Sequence, residues 1–168
     1  TTDGLYVLTT NPSQVVLLNA AGTNIKATAS VPMTDAVGIA VGDGRVWVWS
    51  QNPRVLYVYD ATTLQRLGWY TTSGQIFAVT VVDGELYLTT DGGGLLRASA
   101  AQLPSGPLTT TKVAGIDGFT YGLAADPARH RVLVGVTPAG SPPANGFTGA
   151  RVVAVDTRTG KVVAQSPQ

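Results

Sequence analysis

Apolar residues along this chain fall in short runs, many alternating with polar positions, and the runs end at Gly, Asn-Pro, Asp-Gly or Thr-rich stretches. This is the pattern of half-buried strands bounded by turns. No apolar stripe with helical spacing persists over a helical length, so helix has little support. The densest run is RVWVWSQNPRVLYVYD, Arg45 to Asp60, which crowds Trp47, Trp49, Tyr57 and Tyr59 together in a chain that is only 7% aromatic. Such a cluster is either core or a surface on which a ligand stacks.

Self-comparison separates the two readings, because a fixed period changes the interpretation of every strand in it. Shifted by 41 positions, this stretch lies without a gap on Gly4 to Asn19: Trp47 on Tyr6, Asn52-Pro53 on Asn11-Pro12, and Asp60-Ala61 on Asn19-Ala20. Shifted by 40 the other way, Val46-Trp47-Val48 lies on Leu86-Tyr87-Leu88, and Ser99-Ala100 takes the place of Asp60-Ala61. A looser copy runs through Val132-Leu133-Val134 and Val152 to Thr157.

Each unit therefore predicts two middle strands and an opener, Asn19, Asp60, Ser99 or Asp156, whose side chain can bond backbone two residues on. A third run follows: Ile25 to Val31, Leu67 to Thr72, Leu108 to Val113, and Lys161 to Gln165. Before each of the last three units stands a run of small residues, at Val37 to Val41, Ala78 to Val82, and Tyr121 to Ala125. Four strands per period is the count of a propeller blade. A β-sandwich would share the strand spacing but not the repeated sequence, and the Leu ladder of a leucine-rich solenoid is absent.

The strand-turn-strand segments VLYVYDATTLQRL and VVAVDTRTGKVVAQ resemble the YVTN/YncE-type and PQQ-type β-propeller repeats, and the resemblance covers essentially the whole chain. It implies an all-β fold: a β-propeller of four-stranded antiparallel blades of about 41 residues, four blades visible, the first lacking its innermost strand. It implies a single propeller domain, or part of one, with blades at roughly 1–35, 36–75, 76–119 and 120–168. Gly38, Ala78 and Gly122 would then lie on innermost strands facing a central channel, and the third runs would be outermost. The incomplete first blade would leave an unpaired strand edge along Leu5 to Thr9, which is a liability for pairing. Further blades, or a second chain, are the expected cover. The chain also begins at Thr1 without Met, which suggests a processed or trimmed protein.

Composition narrows the chemistry. The 168 residues are 44% hydrophobic and 12% charged, a buried-rich globular balance, and the net charge is +1 with no basic run. Nucleic acid is not an expected partner, and no apolar run is long enough to insert into a membrane. Without cysteine there are no disulfides, thiolate metal ligands or thiol nucleophile, and the single histidine, His130, precludes a two-histidine metal motif. No metal and no cofactor is expected. His130, in DPARHR beside Asp126, reads as a turn residue before a strand, because no nucleophile stands nearby in sequence. Asp91-Gly92-Gly93-Gly94 reads as a hairpin turn, because no helix follows to hold an anion.

The repeat makes most of the aromatic cluster packing. Trp47 corresponds to Tyr6, Tyr87 and Leu133, so it fills space between sheets. Trp49, whose counterparts are Leu8, Thr89 and Gly135, stays open between core and partner contact. Trp69 and Tyr70, on an outer strand, are candidates for a contact surface by stacking or strand addition at a free edge. The candidate ligand site is a rim. There the long loop Thr137 to Ala150 and the loop Gly115 to Thr120, which emerge on one face of a propeller, would bring Asp117, Phe119, Asn145 and Phe147 together. A Pro/Gly surface insertion with no partner is the competing reading of that loop.

The expected function is a non-catalytic module that binds a small molecule, peptide or protein at a propeller face, as in a sensor or receptor ectodomain. Its expected location is extracellular, periplasmic or at the cell surface. The alternatives are part of a larger propeller enzyme, a quinoprotein-like oxidoreductase or lyase, and a structural protein-interaction scaffold. The inner runs Gly38 to Val41, Ala78 to Val82 and Gly122 to Ala125 hold no ionisable group, so catalysis would need chemistry from elsewhere.

Overall fold

The computed structural model describes residues 4–102, 104–138 and 149–167. Sixteen strands form four sheets, with one 3-10 turn at Pro127–Arg129 and no α-helix among the described residues. Sheet A holds β1 (Gly4–Thr9), β2 (Gln14–Asn19) and β3 (Ile25–Ser30) in that order. Sheet B holds β4 (Ala36–Gly42), β5 (Arg45–Ser50), β6 (Val55–Asp60) and β7 (Arg66–Thr71), with β11 (Ser105–Pro107) added beside β7. Sheet C holds β8 (Ile76–Val82), β9 (Glu85–Thr90), β10 (Leu95–Ser99) and β12 (Thr111–Lys112). Sheet D holds β13 (Phe119–Asp126), β14 (Arg131–Thr137), β15 (Arg151–Asp156) and β16 (Lys161–Gln165). Sheets B, C and D thus each carry the four-strand period, and sheet A has three strands among the described residues.

The chain divides into two compact units, Thr1–Ser73 with Leu103–Leu108, and Gly74–Gln102 with Thr109–Gln168. In the first, Tyr6, Leu8, Val15 and Leu17 of sheet A pack on Val46, Val48, Tyr57 and Tyr59 of sheet B. In the second, Tyr87, Leu95 and Val82 of sheet C pack on Val132, Val134, Val153 and Val155 of sheet D. Alternate residues of each strand face the neighbouring sheet, which is why Val/Leu-rich and aromatic positions interleave in the sequence.

Asp60 and Ser99 bond backbone two residues on as expected, whereas Asn19 bonds it four and five residues on. Asp60 Oδ1 accepts from the backbone N–H of Thr62 and Thr63 at 2.9 and 2.8 Å. Asp156 Oδ1 accepts from Thr159 N at 2.8 Å, and Asn19 Oδ1 from Thr23 N at 2.9 Å. These bonds hold the Asp60 and Asp156 carboxyls below the usual carboxylate range, the backbone N–H of Thr63 and of Thr159 being the respective main causes. Asp43-Gly44 and Asp83-Gly84 both have positive φ at each residue, the backbone of a tight two-residue hairpin.

One expected strand is different. The run Leu108 to Val113 is not continuous: only Thr111–Lys112 pairs with β10, while Ser105–Pro107 pairs in parallel with β7. Pro104 and Pro107 lack the N–H that a central ladder needs, so this segment suits an edge. Trp69 N donates to Pro104 O at 2.9 Å, and Leu108 N to Thr71 O at 2.9 Å. The carbonyl of Pro104 comes so close that a Cβ on Gly68 would meet it at 1.9 Å, so glycine is required there.

Candidate functional site

Each innermost strand carries an irregularity in the same place. The pairing of β4, β8 and β13 with its neighbour slips between Ala36 and Gly38, Ile76 and Ala78, and Thr120 and Leu123. A bulge of this kind takes a residue out of the ladder and re-aims its side chain. The residues taken out include Val37, Phe77 and Tyr121, each standing immediately before Gly38, Ala78 or Gly122.

In the second unit this produces an aromatic strip. The rings of Phe77 and Tyr121 stack with centroids 5.6 Å apart, and Tyr121 and Phe119 stack at 6.5 Å. Tyr121 is 39% exposed, and its carbonyl accepts a bond from the buried Thr89 Oγ1 at 3.1 Å, which fixes the strand beneath the ring. Phe119 also walls a cavity of about 190 Å³ shared with Asp91 to Gly94, Lys112 and Gly118. Tyr121 borders a second, more apolar one of about 310 Å³, with Val136, Thr137, Arg151 and Val152.

The walls of the smaller cavity are tied together through Gly94. Its N–H donates to Gly118 O at 3.0 Å, and its carbonyl accepts from Thr120 Oγ1 at 2.7 Å. Gly94 has φ +76, and a Cβ there would lie 2.6 Å from Lys112 Cε. The Gly run is a hairpin turn, as its lack of a following helix implies, and Gly93 and Gly94 spend their N–H groups on protein carbonyls rather than on an anion. Lys112 is the cation of this cavity and Asp91 its anion, and Asp91 Oδ1 accepts from Gln75 N at 2.9 Å.

The expected rim residues divide. Phe119 opens β13 opposite Thr137, the last residue of β14, and so does bring the Gly115–Thr120 loop to the start of the long Thr137–Ala150 segment. Asp117 lies exposed in that loop and outside the cavity lining. Asn145 and Phe147 lie outside the described residues. Phe77, Tyr121 and Lys112 escaped sequence reasoning; the repeated large apolar residue just before Gly38, Ala78 and Gly122 was the signal that marks the first two.

Among the candidate partner contacts, burial separates the three. Trp49 is 6% exposed, and a Cβ on Gly38 would lie 2.0 Å from its Cζ2, so the indole sits flat on the Gly38 backbone as packing. Tyr70 is 1% exposed and stacks on the buried Trp47 at 6.4 Å, so it offers no surface to a partner. Trp69 is 43% exposed, but strand addition beside it is forestalled because β11 already occupies the β7 edge. Burial likewise pushes the Tyr59 hydroxyl up to about 12, and that group donates to Ser30 O at 3.1 Å.

His130 is a turn residue with a left-handed backbone, and its partner is Asp83 rather than Asp126. Arg158 Nη2 donates to His130 Nε2 at 2.6 Å, so Nδ1–H donates to Asp83 Oδ2 at 2.9 Å. Thr157 Oγ1 also bonds Asp83 Oδ2, and that bond, followed by the one from His130, lowers the Asp83 pKa. Among the described residues there is no group of three or more His, Cys, Asp or Glu able to hold a metal ion.

The fold matches solved β-propellers. BamB from Moraxella catarrhalis superposes with a TM-score of 0.62 at 19% identity, over 98% of this chain and 46% of that one. The Cps50 (Swd1) β-propeller domain of Myceliophteria thermophila gives 0.68 at 9% identity, over 98% and 53%. A europium-containing methanol dehydrogenase gives 0.61 at 15% identity, over 98% and 40%. The chain is thus an all-β protein of the β-propeller class, and it spans about half the length of the first of these propellers. No protein-family model matches the sequence, and no curated protein matches it.

Proposed function

We propose that this chain is a non-catalytic β-propeller module that binds a protein partner at the rim of its second unit. The observation that carries this reading is the stack Phe77–Tyr121–Phe119, an exposed Tyr121 ring between two half-buried Phe rings on bulged strands, with the Tyr121 carbonyl held by Thr89. Aromatic side chains on a rigid support give large contact area at little entropic cost, and they dominate binding energy at protein interfaces. The flanking cavities supply recesses for a partner's side chains, and Lys112 and Asp91 supply polar orientation. A role as sensor or receptor ectodomain outside the cytoplasm, in a single propeller or part of one, extends the same proposal.

The enzyme reading has less behind it. The arrangement nearest to a catalytic one, Asp83–His130, ends at Nε2 on the guanidinium of Arg158, where a base would need a nucleophile or substrate. The test uses three immobilised proteins: wild type, Tyr121→Ala and Trp69→Ala. Proteins retained by wild type and Trp69→Ala but lost by Tyr121→Ala support the rim. Equal retention on all three rejects it.

A further inference from the structure

The turns between the middle strands of sheets A and B share Asn-Pro and differ in the residue after it. Asn11-Pro12-Ser13 joins β1 to β2, and Asn52-Pro53-Arg54 joins β5 to β6 at the equivalent place in the repeat. Each turn is tied in the same way to the segment that follows β3 or β7. Val31 N donates to Ser13 O at 2.9 Å, and Thr72 N donates to Arg54 O at 3.1 Å. In sheet B the Arg54 guanidinium then reaches from turn to segment, where Nη1 donates to Ser73 O at 2.6 Å. Ser13 stands where Arg54 does, and Pro32 stands where Ser73 does. The serine side chain stops at Oγ, which is buried without a hydrogen-bond partner among the described residues. A cavity of about 550 Å³ is left between the turn and the segment in sheet A.

The chemistry of this recess is one-sided. Val31 and Met33 give it buried apolar walls. Pro12 and Pro32 have no N–H, and the N–H groups of Val31 and Met33 are spent on Ser13 O and Val31 O. No lysine, arginine or histidine lines it. A recess of apolar surface and backbone carbonyls suits a cation that only donates and that carries an apolar stem. A guanidinium is such a group, and its stem packs well on apolar walls.

We propose that the sheet A recess is a binding site for an arginine side chain presented by a protein partner, its guanidinium on Pro32 O and its stem against Met33. The model for the bound state is Arg54, one repeat further on. A partner is the source because the repeat supplies no arginine from another sheet. Where it closes this recess, in sheet B, it uses the turn's own residue, and the equivalent cavity in sheet C, at Asp91 to Gly94, is lined by no arginine. The site lies in the first unit, so it stands or falls independently of the aromatic rim in the second.

The test is an NMR titration of the 168-residue chain with Nα-acetyl-arginine amide, beside the lysine and citrulline counterparts. The arginine probe should shift the Ser13, Val31 and Met33 amides saturably, and the other two should bind about tenfold more weakly. Ser13→Arg, which copies the sheet B arrangement, should abolish these shifts. Arg54→Ser, at an exposed position, should do the reverse and add a second set at Thr72 and Ser73. Should Ser13→Arg misfold, Arg54→Ser decides alone. The proposal is overturned by a lack of saturable shifts at Ser13 and Val31, or by equal binding of the lysine or citrulline probe. Shifts that survive in a folded Ser13→Arg protein, or an Arg54→Ser protein without the second set, overturn it as well.

Discussion

In sheet B the turn between the two middle strands is closed by its own side chain: Arg54 Nη1 donates to Ser73 O at 2.6 Å, and Thr72 N donates to Arg54 O at 3.1 Å. The equivalent turn in sheet C is Asp91-Gly92-Gly93-Gly94, which has little side chain to fill the same place, and a cavity of about 190 Å³ remains. The residues at the bulges of the inner strands differ in the same way. In the first unit Trp47, Tyr59 and Tyr70 are buried among strands, Trp69 stands out at an edge, and the bulged inner residue is Val37. In the second unit the bulged residues are Phe77 and Tyr121, which stand partly in solvent. One repeat thus supplies both a packed wall and the proposed binding rim, depending on where its large side chains are placed.

This contrast can be broken by substitution. Trp47→Ala should have the largest effect, about 3–5 kcal/mol lost in denaturant unfolding, because a fully buried indole leaves a cavity. Gly38→Ala comes next, at about 1–3 kcal/mol, since the new methyl must displace the Trp49 ring. Combining it with Trp49→Leu should recover part of that loss; full additivity would mean that Trp49 is not what Gly38 accommodates.

Gly94→Ala should cost about 1–2 kcal/mol through its left-handed backbone. Its crowding of Lys112 should narrow the rim cavity, and partner retention measured beside stability will show whether the cavity matters. Acid titration gives a smaller and separable effect. Asp83 has a folded pKa below its unfolded value of about 3.9, so its contribution is complete above that value and is lost as pH falls through the folded pKa. Asp83→Asn should therefore flatten the acid limb of the stability profile and leave its alkaline limb unchanged; an unchanged acid limb would show that Thr157 and His130 do not hold the carboxylate in solution. Tyr121→Ala should have the smallest effect on folding, under about 1 kcal/mol, while removing partner retention. A large stability loss would move Tyr121 from the rim into the core.

Much of the fold is legible in the sequence because a repeat tests itself. Tyr6, Trp47 and Tyr87 exchange with one another across copies, and that exchange alone marks a packing position. The openers Asn19, Asp60 and Asp156 are readable because an Asx turn needs only a few consecutive residues. The rim is half legible: Phe119 can be placed by loop topology, but Tyr121 cannot, because a bulge changes which way a side chain points without changing the residue that carries it. The segment Ser105–Pro107 escapes for a related reason. Its proline and glycine, with Pro104 just before it, exclude a central strand, but they do not say which sheet edge will receive it.

Local chemistry therefore accounts for the strands, the turns and the period of about 41 residues, since alternation, Asp-Gly hairpins and Asx openers act over a few neighbouring positions. Tertiary structure alone decided the rest. Arg54 fills one turn, Lys112 lies across another, β11 closes the edge beside Trp69, and Trp49 rests on Gly38. Each of these depends on which distant backbone comes within a few ångströms, and steric exclusion at that range is a property of the packed chain rather than of any stretch of it.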